Sequence, residues 1–297
     1  MVHILDLNFM QLPHTIAAFL LFTDEGPALV ETGPHATFPA LTRQLALHGL
    51  EPADIRHVFL SHIHLDHAGA AWALAKTGAT VYVHPFGAKH LMQPERLLNS
   101  ARRIYQERMD ELWGDMQPIP ADRIQTTGHA ACIDLGNIQL QSWHTPGHAV
   151  HHIVWQLGDI AFTGDVAGVQ IGNGIIAPPC PPPDIHIEDW QQSLGLIRRL
   201  QLSKLYLTHF GEITNVPAHL DQLEERLLSW AEWMLPYFEK GTTAEEITPL
   251  FQEFVQQQLK DAGADETVLL QYEAANPSWM SVEGLLRYWA KKKAATQ

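Results

Sequence analysis

Between His62 and His67 the chain packs three histidines and an aspartate into six positions, within the stretch SHIHLDHAG (61–69). No helix or strand preference explains that density, and imidazoles crowded together repel one another when protonated. The stretch follows IRHVFLSH (55–62), a β-branched apolar run of strand length, and leads into AGAAWALAKTGA (68–79), which has helical spacing and ends at Gly78. The cluster therefore lies where a strand turns toward a helix, a place where functional residues sit on a rigid scaffold. Alternate residues of an extended segment project to one side. His62 and His64 are thus predicted to converge on one ion, while Asp66 and His67, past the bend, address a second.

The flanking chain reads as alternating helices and strands. HTIAAFLLF (14–22) and PALVETG (27–33) enclose TDEG as a β-hairpin, Thr37 to Gly49 has helical spacing, and TVYVHP (80–85) reads as a strand. This alternation predicts an α/β fold. An amphipathic stretch, ERLLNSARRIYQERMDELWG (95–114), reads as a helical insertion spanning about 95–117. Short strand-like runs punctuated by glycine fill 124–165, and GVQIGNGIIAPPCPPPD (168–184) is too rich in Gly and Pro to be anything but a shaped loop. A helix from about Asp189 to Leu200, the strand KLYLTH (204–209) and a helical tail from Pro217 complete the reading. The predicted organisation is a catalytic unit over 1–215 and a helical C-terminal extension over 216–297 packed on it.

Complete metal sites need more ligands, and three later segments offer them: His148 in WHTPGHAVHH, Asp165 in FTGD and His209 in LYLTHFG. Each falls at the end of a strand-like run beside a glycine, where backbone can approach a site closely. His62, His64 and His148 would serve one ion, Asp66, His67 and His209 the other, with Asp165 between them. His151 is expected to orient a ligand, and His152 to be a core residue. His35 reads as a loop residue or cap. The Cys180 thiol has nothing nearby to activate it.

The pattern HIHLDH…GH…GD…THFG resembles the metallo-β-lactamase-fold hydrolase superfamily, over roughly residues 1–215. The resemblance implies a four-layer αβ/βα sandwich with the metals at one edge between two sheets, and His62, His64, Asp66, His67, His148, Asp165 and His209 as ligands. Where the family often has Asp-Thr-Gly, this chain has Glu31-Thr32-Gly33, so Glu31 would have to make the contact of a shorter acid. Two divalent ions are expected, zinc foremost, with iron, manganese and cobalt compatible with the same donors. Held ~3.5–4 Å apart, such ions bring the pKa of a bridging water toward ~7, giving a hydroxide that attacks a carbonyl or phosphoryl centre. Asp66 would orient that nucleophile or carry its proton to the leaving group, which makes it the predicted catalytic residue.

Composition narrows the substrate. A formal charge of -14 repels a phosphate backbone, so a nucleic-acid partner is not expected. Cys132 and Cys180 cannot form a disulfide framework, and no apolar run approaches the ~20 residues of a membrane span, so the chain reads as cytoplasmic and without a membrane partner. A small-molecule substrate is expected, and a homodimer is left open. Met109, Leu112, Trp113 and Met116 of the insertion, the 168–184 loop, and Trp230, Trp233, Phe238, Trp279 and Tyr288 of the tail are candidates to wall a pocket. An apolar pocket suits a modest-sized, neutral ester, lactone, thioester or phosphotriester. Two alternatives stay open: a glyoxalase II-like thioesterase, although no basic cluster precedes Lys291 in the tail, and a persulfide dioxygenase-like oxidoreductase with a single iron.

Overall fold

Alternation along one strand shows how the layers arise. In a computed structural model, which describes residues 1–295, the strand Ala17–Leu21 is buried throughout. Ala17, Phe19 and Leu21 join an apolar cluster shared between two sheets, while Ala18 and Leu20 join a second cluster beneath helices. The period-2 projection of a strand buried on both faces places a sheet inside the molecule, with helices on its other side.

The first sheet holds, in spatial order, β1 (Val2–Asp6), β2 (Ala17–Leu21), β3 (Ala28–Val30), β4 (His57–Phe59), β5 (Thr80–Val83) and β6 (Ile124–Thr126). The β1–β2 and β2–β3 pairs are antiparallel and the rest parallel. The second sheet runs β12 (Gly211–Ile213), β11 (Lys204–Leu207), β10 (Ile160–Gly164), β9 (Ile153–Leu157), β8 (Gln139–His144) and β7 (Cys132–Asp134), with only β10 and β11 parallel. Phe59, Tyr82, Trp155, Phe162 and Tyr206 fill the space between the sheets.

Outside the first sheet lie α1 (Phe38–Ala46), α2 (Leu65–Ala68), α3 (Ala71–Lys76), α4 (Pro85–Met92), α5 (Glu95–Tyr105) and α6 (Met109–Trp113). Outside the second lie α7 (Ile187–Arg199), α8 (Val216–Lys240), α9 (Ala244–Asp261), α10 (Glu266–Ala275) and α11 (Ser278–Ala295). Three apolar clusters, one between the sheets and one under each helical layer, make this a four-layer αβ/βα sandwich with a helical C-terminal extension. The expected α/β architecture is what the chain adopts.

Two local expectations need correction. The chain opens with the edge strand β1, ahead of the β2–β3 hairpin, and the expected helix over 68–79 is the shorter α3, Ala71–Lys76, preceded by a separate single turn, α2, over Leu65–Ala68. Residues 296 and 297 of the expected extension lie outside the described residues. The extension has no core of its own: Trp230, Met234, Phe251 and Leu285 share a cluster with Leu205 and Leu207 of β11. No helix among the described residues is long and apolar enough to cross a membrane.

Candidate metal centre

Strand β4 ends at Phe59, and its continuation delivers Ser61 and His62 to one edge of the sandwich before α2 turns away. Trp155 of β9 donates its Nε1–H to the Leu60 carbonyl at 2.9 Å, so the second sheet fixes this strand end from across the core. The α2 helix carries Asp66 and His67, the turn after β8 carries His148, the end of β10 carries Asp165, and the end of β11 carries His209. All seven predicted ligands therefore come together from strand ends of both sheets.

Their donor atoms form two groups sharing Asp165: His62, His64, His148 and Asp165 in one, and Asp66, His67, Asp165 and His209 in the other. In the first, His62 Nε2 lies 2.8 Å from His64 Nδ1, and His148 Nε2 lies 3.2 Å from His62 Nε2, 3.1 Å from His64 Nδ1 and 3.3 Å from Asp165 Oδ2. In the second, His67 Nε2 stands 3.2 Å from Asp165 Oδ1 and 3.6 Å from Asp66 Oδ2, and His209 Nε2 stands 3.5 and 3.4 Å from the same two oxygens. Donors ~2.0–2.1 Å from a tetrahedral zinc stand about 3.3 Å apart. The observed separations scatter around that value.

The outer nitrogens explain why the inner ones are free to bind. His148 Nδ1–H donates to the Pro179 carbonyl at 2.9 Å and His209 Nδ1–H to the Thr15 carbonyl at 2.6 Å. A carbonyl can only accept, so in the neutral ring each Nε2 is left with a lone pair aimed inward. His67 Nε2, His209 Nε2 and Asp165 Oδ1 are buried without a hydrogen-bond partner. Buried polar atoms of this kind call for a missing partner, and a cation supplies one for all three.

Electrostatics point the same way. Burial, with His67 and His64 next to it, holds His62 well below the usual histidine range, and burial lowers His148 to about 4. Both are neutral donors at pH 7. Burial also works against a proton on His67, but Asp165, Asp66 and Glu31 outweigh it and hold that ring well above its ordinary value. Burial would raise Asp165, yet His67 and His148 keep it well below. Three buried or half-buried carboxylates thus surround the His67 ring, so the site favours positive charge there.

Glu31 makes the contact that its length put in question. Its Oε1 accepts the Ser61 backbone N–H at 2.9 Å and its Oε2 accepts from His67 Nδ1 at 3.1 Å. The backbone there is left-handed, with φ of 64°, a conformation that costs a non-glycine residue roughly 1–3 kcal/mol.

His151 is buried against the rings of His62 and His64, with Nδ1 lacking a partner. His152, expected to be only a core residue, accepts the Asp165 backbone N–H on Nε2 at 3.2 Å and donates from Nδ1 to Thr145 Oγ1 at 2.9 Å. Trp190 of α7 also escaped the sequence reading. Its Nε1–H donates to Val166 O at 2.7 Å, and its ring meets that of His148 nearly at right angles. Cys180 is fully buried and its thiol is pushed up by that burial, in keeping with an inert role.

The cluster opens into a cavity of about 1080 Å³. Leu112, Trp113 and Trp279 line it as expected, together with Phe9, Tyr105 and Met280, which were not anticipated. Met109 and Met116 instead fill the core under the first sheet, Trp230 and Tyr288 fill the core that the second sheet shares with the helical extension, and Trp233 and Phe238 lie away from the cavity. Helix amphipathicity accounts for the difference, because an apolar stripe satisfies a core as readily as a pocket. Lys89, Arg96 and Arg108 also reach the cavity wall, opposite in charge to Asp184 and Glu273.

Two donor clusters at one strand-end edge of an αβ/βα sandwich support binding of divalent metal ions, the equipment of a metal-dependent hydrolase. The chain belongs to the metallo-beta-lactamase superfamily, whose family model matches residues 13–209. It is similar to the metallo-beta-lactamase fold-containing protein ST1585 of Sulfurisphaera tokodaii, with 26% identity over 180 residues, 59% of this chain and 67% of that one. It is also similar to the probable metallo-hydrolase YqjP of Bacillus subtilis, with 24% identity over 232 residues, 71% of this chain and 72% of that one. Among solved structures, the metallo-beta-lactamase family protein TTHA1429 of Thermus thermophilus matches with a TM-score of 0.71 at 22% identity, over 99% of this chain and 94% of that chain. The shared fold therefore extends through the C-terminal helices.

Proposed function

We propose that the protein is a dinuclear metal-dependent hydrolase that cleaves an ester, lactone, thioester or phosphotriester bond in a modest-sized, neutral small molecule. The observation that carries this reading is the sharing of Asp165 between two donor groups at the floor of one cavity. A pair of divalent ions bound there supplies an activated water and polarises the oxygen of the bond attacked. His62, His64 and His148 would hold one ion and Asp66, His67 and His209 the other, with Asp165 common to both. Zinc suits this imidazole and carboxylate set.

The two central carboxylates are placed for different tasks. Both border the cavity, but the Asp165 side chain is 5% exposed and enclosed by four histidines, which suits ligation alone, whereas that of Asp66 is the more open at 20% exposed. Asp66 is therefore the group able to hold a proton where the leaving group departs. The largely apolar walls, Phe9, Leu12, Leu97, Trp113 and Trp279 among them, favour an uncharged substrate body.

The test is a hydrolysis panel of aryl esters, lactones, thioesters and phosphotriesters, run on zinc-loaded wild type, chelator-treated protein and Asp66→Asn. Turnover of at least one class, lost on chelation and lowered about 10²-fold or more in Asp66→Asn with zinc still bound, is the expected result. Zinc-loaded protein that hydrolyses none of the four classes would overturn the proposal.

A further inference from the structure

The carbonyls that fix His148 and His209 belong to neither sheet. Thr15 precedes β2, and Pro179 lies in the Gly/Pro loop 168–184, whose first half is tied by a Val169–Ala177 bridge but whose proline-rich end offers few backbone N–H donors to hold it. Both segments are instead braced by the last two helices. Gln271 of α10 donates its Nε2–H to Pro13 O at 2.7 Å, and Tyr272 receives the Ile171 backbone N–H at 3.0 Å while donating to Ile175 O. At Gly284 of α11 a Cβ would collide with the Cys180 carbonyl oxygen, so only glycine lets that helix lie directly on the loop.

One contact is more specific than bracing. The Pro179 carbonyl and the Cys180 N–H are two ends of a single peptide group. His148 Nδ1–H donates to the carbonyl at 2.9 Å, and the Cys180 N–H donates to the fully buried Ser281 Oγ at 3.4 Å. Ser281 in turn donates to Asn276 Oδ1 at 3.3 Å. The donors run head to tail, from imidazole through peptide and hydroxyl to amide oxygen. Hydrogen bonds in such a chain polarise one another in a low-dielectric interior. An N–H engaged by Ser281 makes the carbonyl of the same peptide a better acceptor, which orients the His148 ring and enriches its inward Nε2.

We infer that Ser281 and Asn276 are positioning residues for the metal centre, acting on His148 through the Pro179–Cys180 peptide, so that the C-terminal helices set the affinity of the three-histidine site. The inference rests on the dinuclear reading above. It assigns the helical extension a role in the chemistry of the centre besides walling the cavity.

The experiment is a stepwise zinc titration of full-length metal-free protein against a chromophoric chelator, with the unfolding midpoint of the metal-free form measured alongside. In Ser281→Ala one binding step is expected to weaken about 10-fold or more while the other holds, with Ser281→Thr, which keeps the oxygen, recovering the loss. If Ser281→Ala does not fold, Asn276→Leu against Asn276→Asp makes the same comparison. Two zinc ions bound with both steps unchanged within about twofold in the alanine variant would overturn the inference and leave the dinuclear reading standing. Equal weakening of both steps, tracking a lowered midpoint, would also overturn it, since that is a purely structural effect. A wild-type chain that takes up a single zinc removes the dinuclear reading, and the Ser281→Ala shift in that one affinity then decides the relay.

Discussion

Asp165 is the one residue that both donor groups use, and its backbone and side chain are held by different histidines. His152 accepts its N–H, while His67 and His148 contact its carboxylate oxygens. Replacing Asp165 or His148 with alanine is expected to abolish turnover and release at least one bound ion, which elemental analysis of the purified variants checks. Glu31→Gln keeps the length but loses the charge facing His67, and should lower metal affinity about 10–100-fold, read by chelator competition. The seven proposed ligands were legible because imidazole and carboxylate at alternating spacing, next to glycine at strand ends, have little other use. His152 and Trp190 were not. They act on a backbone N–H of Asp165 and a carbonyl of Val166, and a contact to backbone leaves no signature of residue type or spacing.

The elements hold the ligands by close backbone approach. The turn bearing His148 passes over α7 so tightly that a Cβ on Gly147, at φ of 130°, would collide with the Trp190 backbone. Gly147→Ala should therefore destabilise the fold by about 1–3 kcal/mol in urea denaturation and weaken metal binding together, since both the strained φ and the clash displace His148. The buried strands β2, β4, β5 and β11 were legible as apolar runs. Strand β1 was not, because at the sheet edge only Leu5 of its five residues is buried, and a half-exposed run of that length carries little pattern. Helix α4 was hidden for a related reason: it spans eight residues with a proline and a glycine near its start, and its N-terminus is capped by the His84 ring, which accepts the Phe86 N–H. The pocket walls were least legible, since which face of an amphipathic helix meets a cavity depends on partners far along the chain.

At the scale of the whole molecule, the centre charges the fold with a dependence on pH. Burial lowers His84 and His148 to about 4, and lowers His62, His151 and His152 well below their ordinary value. The unfolded chain protonates these rings below about 6.5, where the folded chain refuses the proton, so their contribution is complete above that pH and is lost as pH falls toward about 4. His67 and His209 are raised and work in the opposite direction, but they are fewer. Metal-free protein should accordingly be less stable at about pH 5 than at about pH 7.5, shown by a lower urea midpoint, and zinc should raise the midpoint at the higher pH by mass action. An unchanged midpoint across that range would mean that the buried histidines take up protons as readily in the fold as in the unfolded chain. The most direct measurement is metal content per chain, by elemental mass spectrometry on protein expressed without added metal and purified without chelator. About two zinc or other divalent ions per chain is the predicted result. A single iron, or no metal at all, would contradict a paired hydrolytic centre built on His62, His64, Asp66, His67, His148, Asp165 and His209.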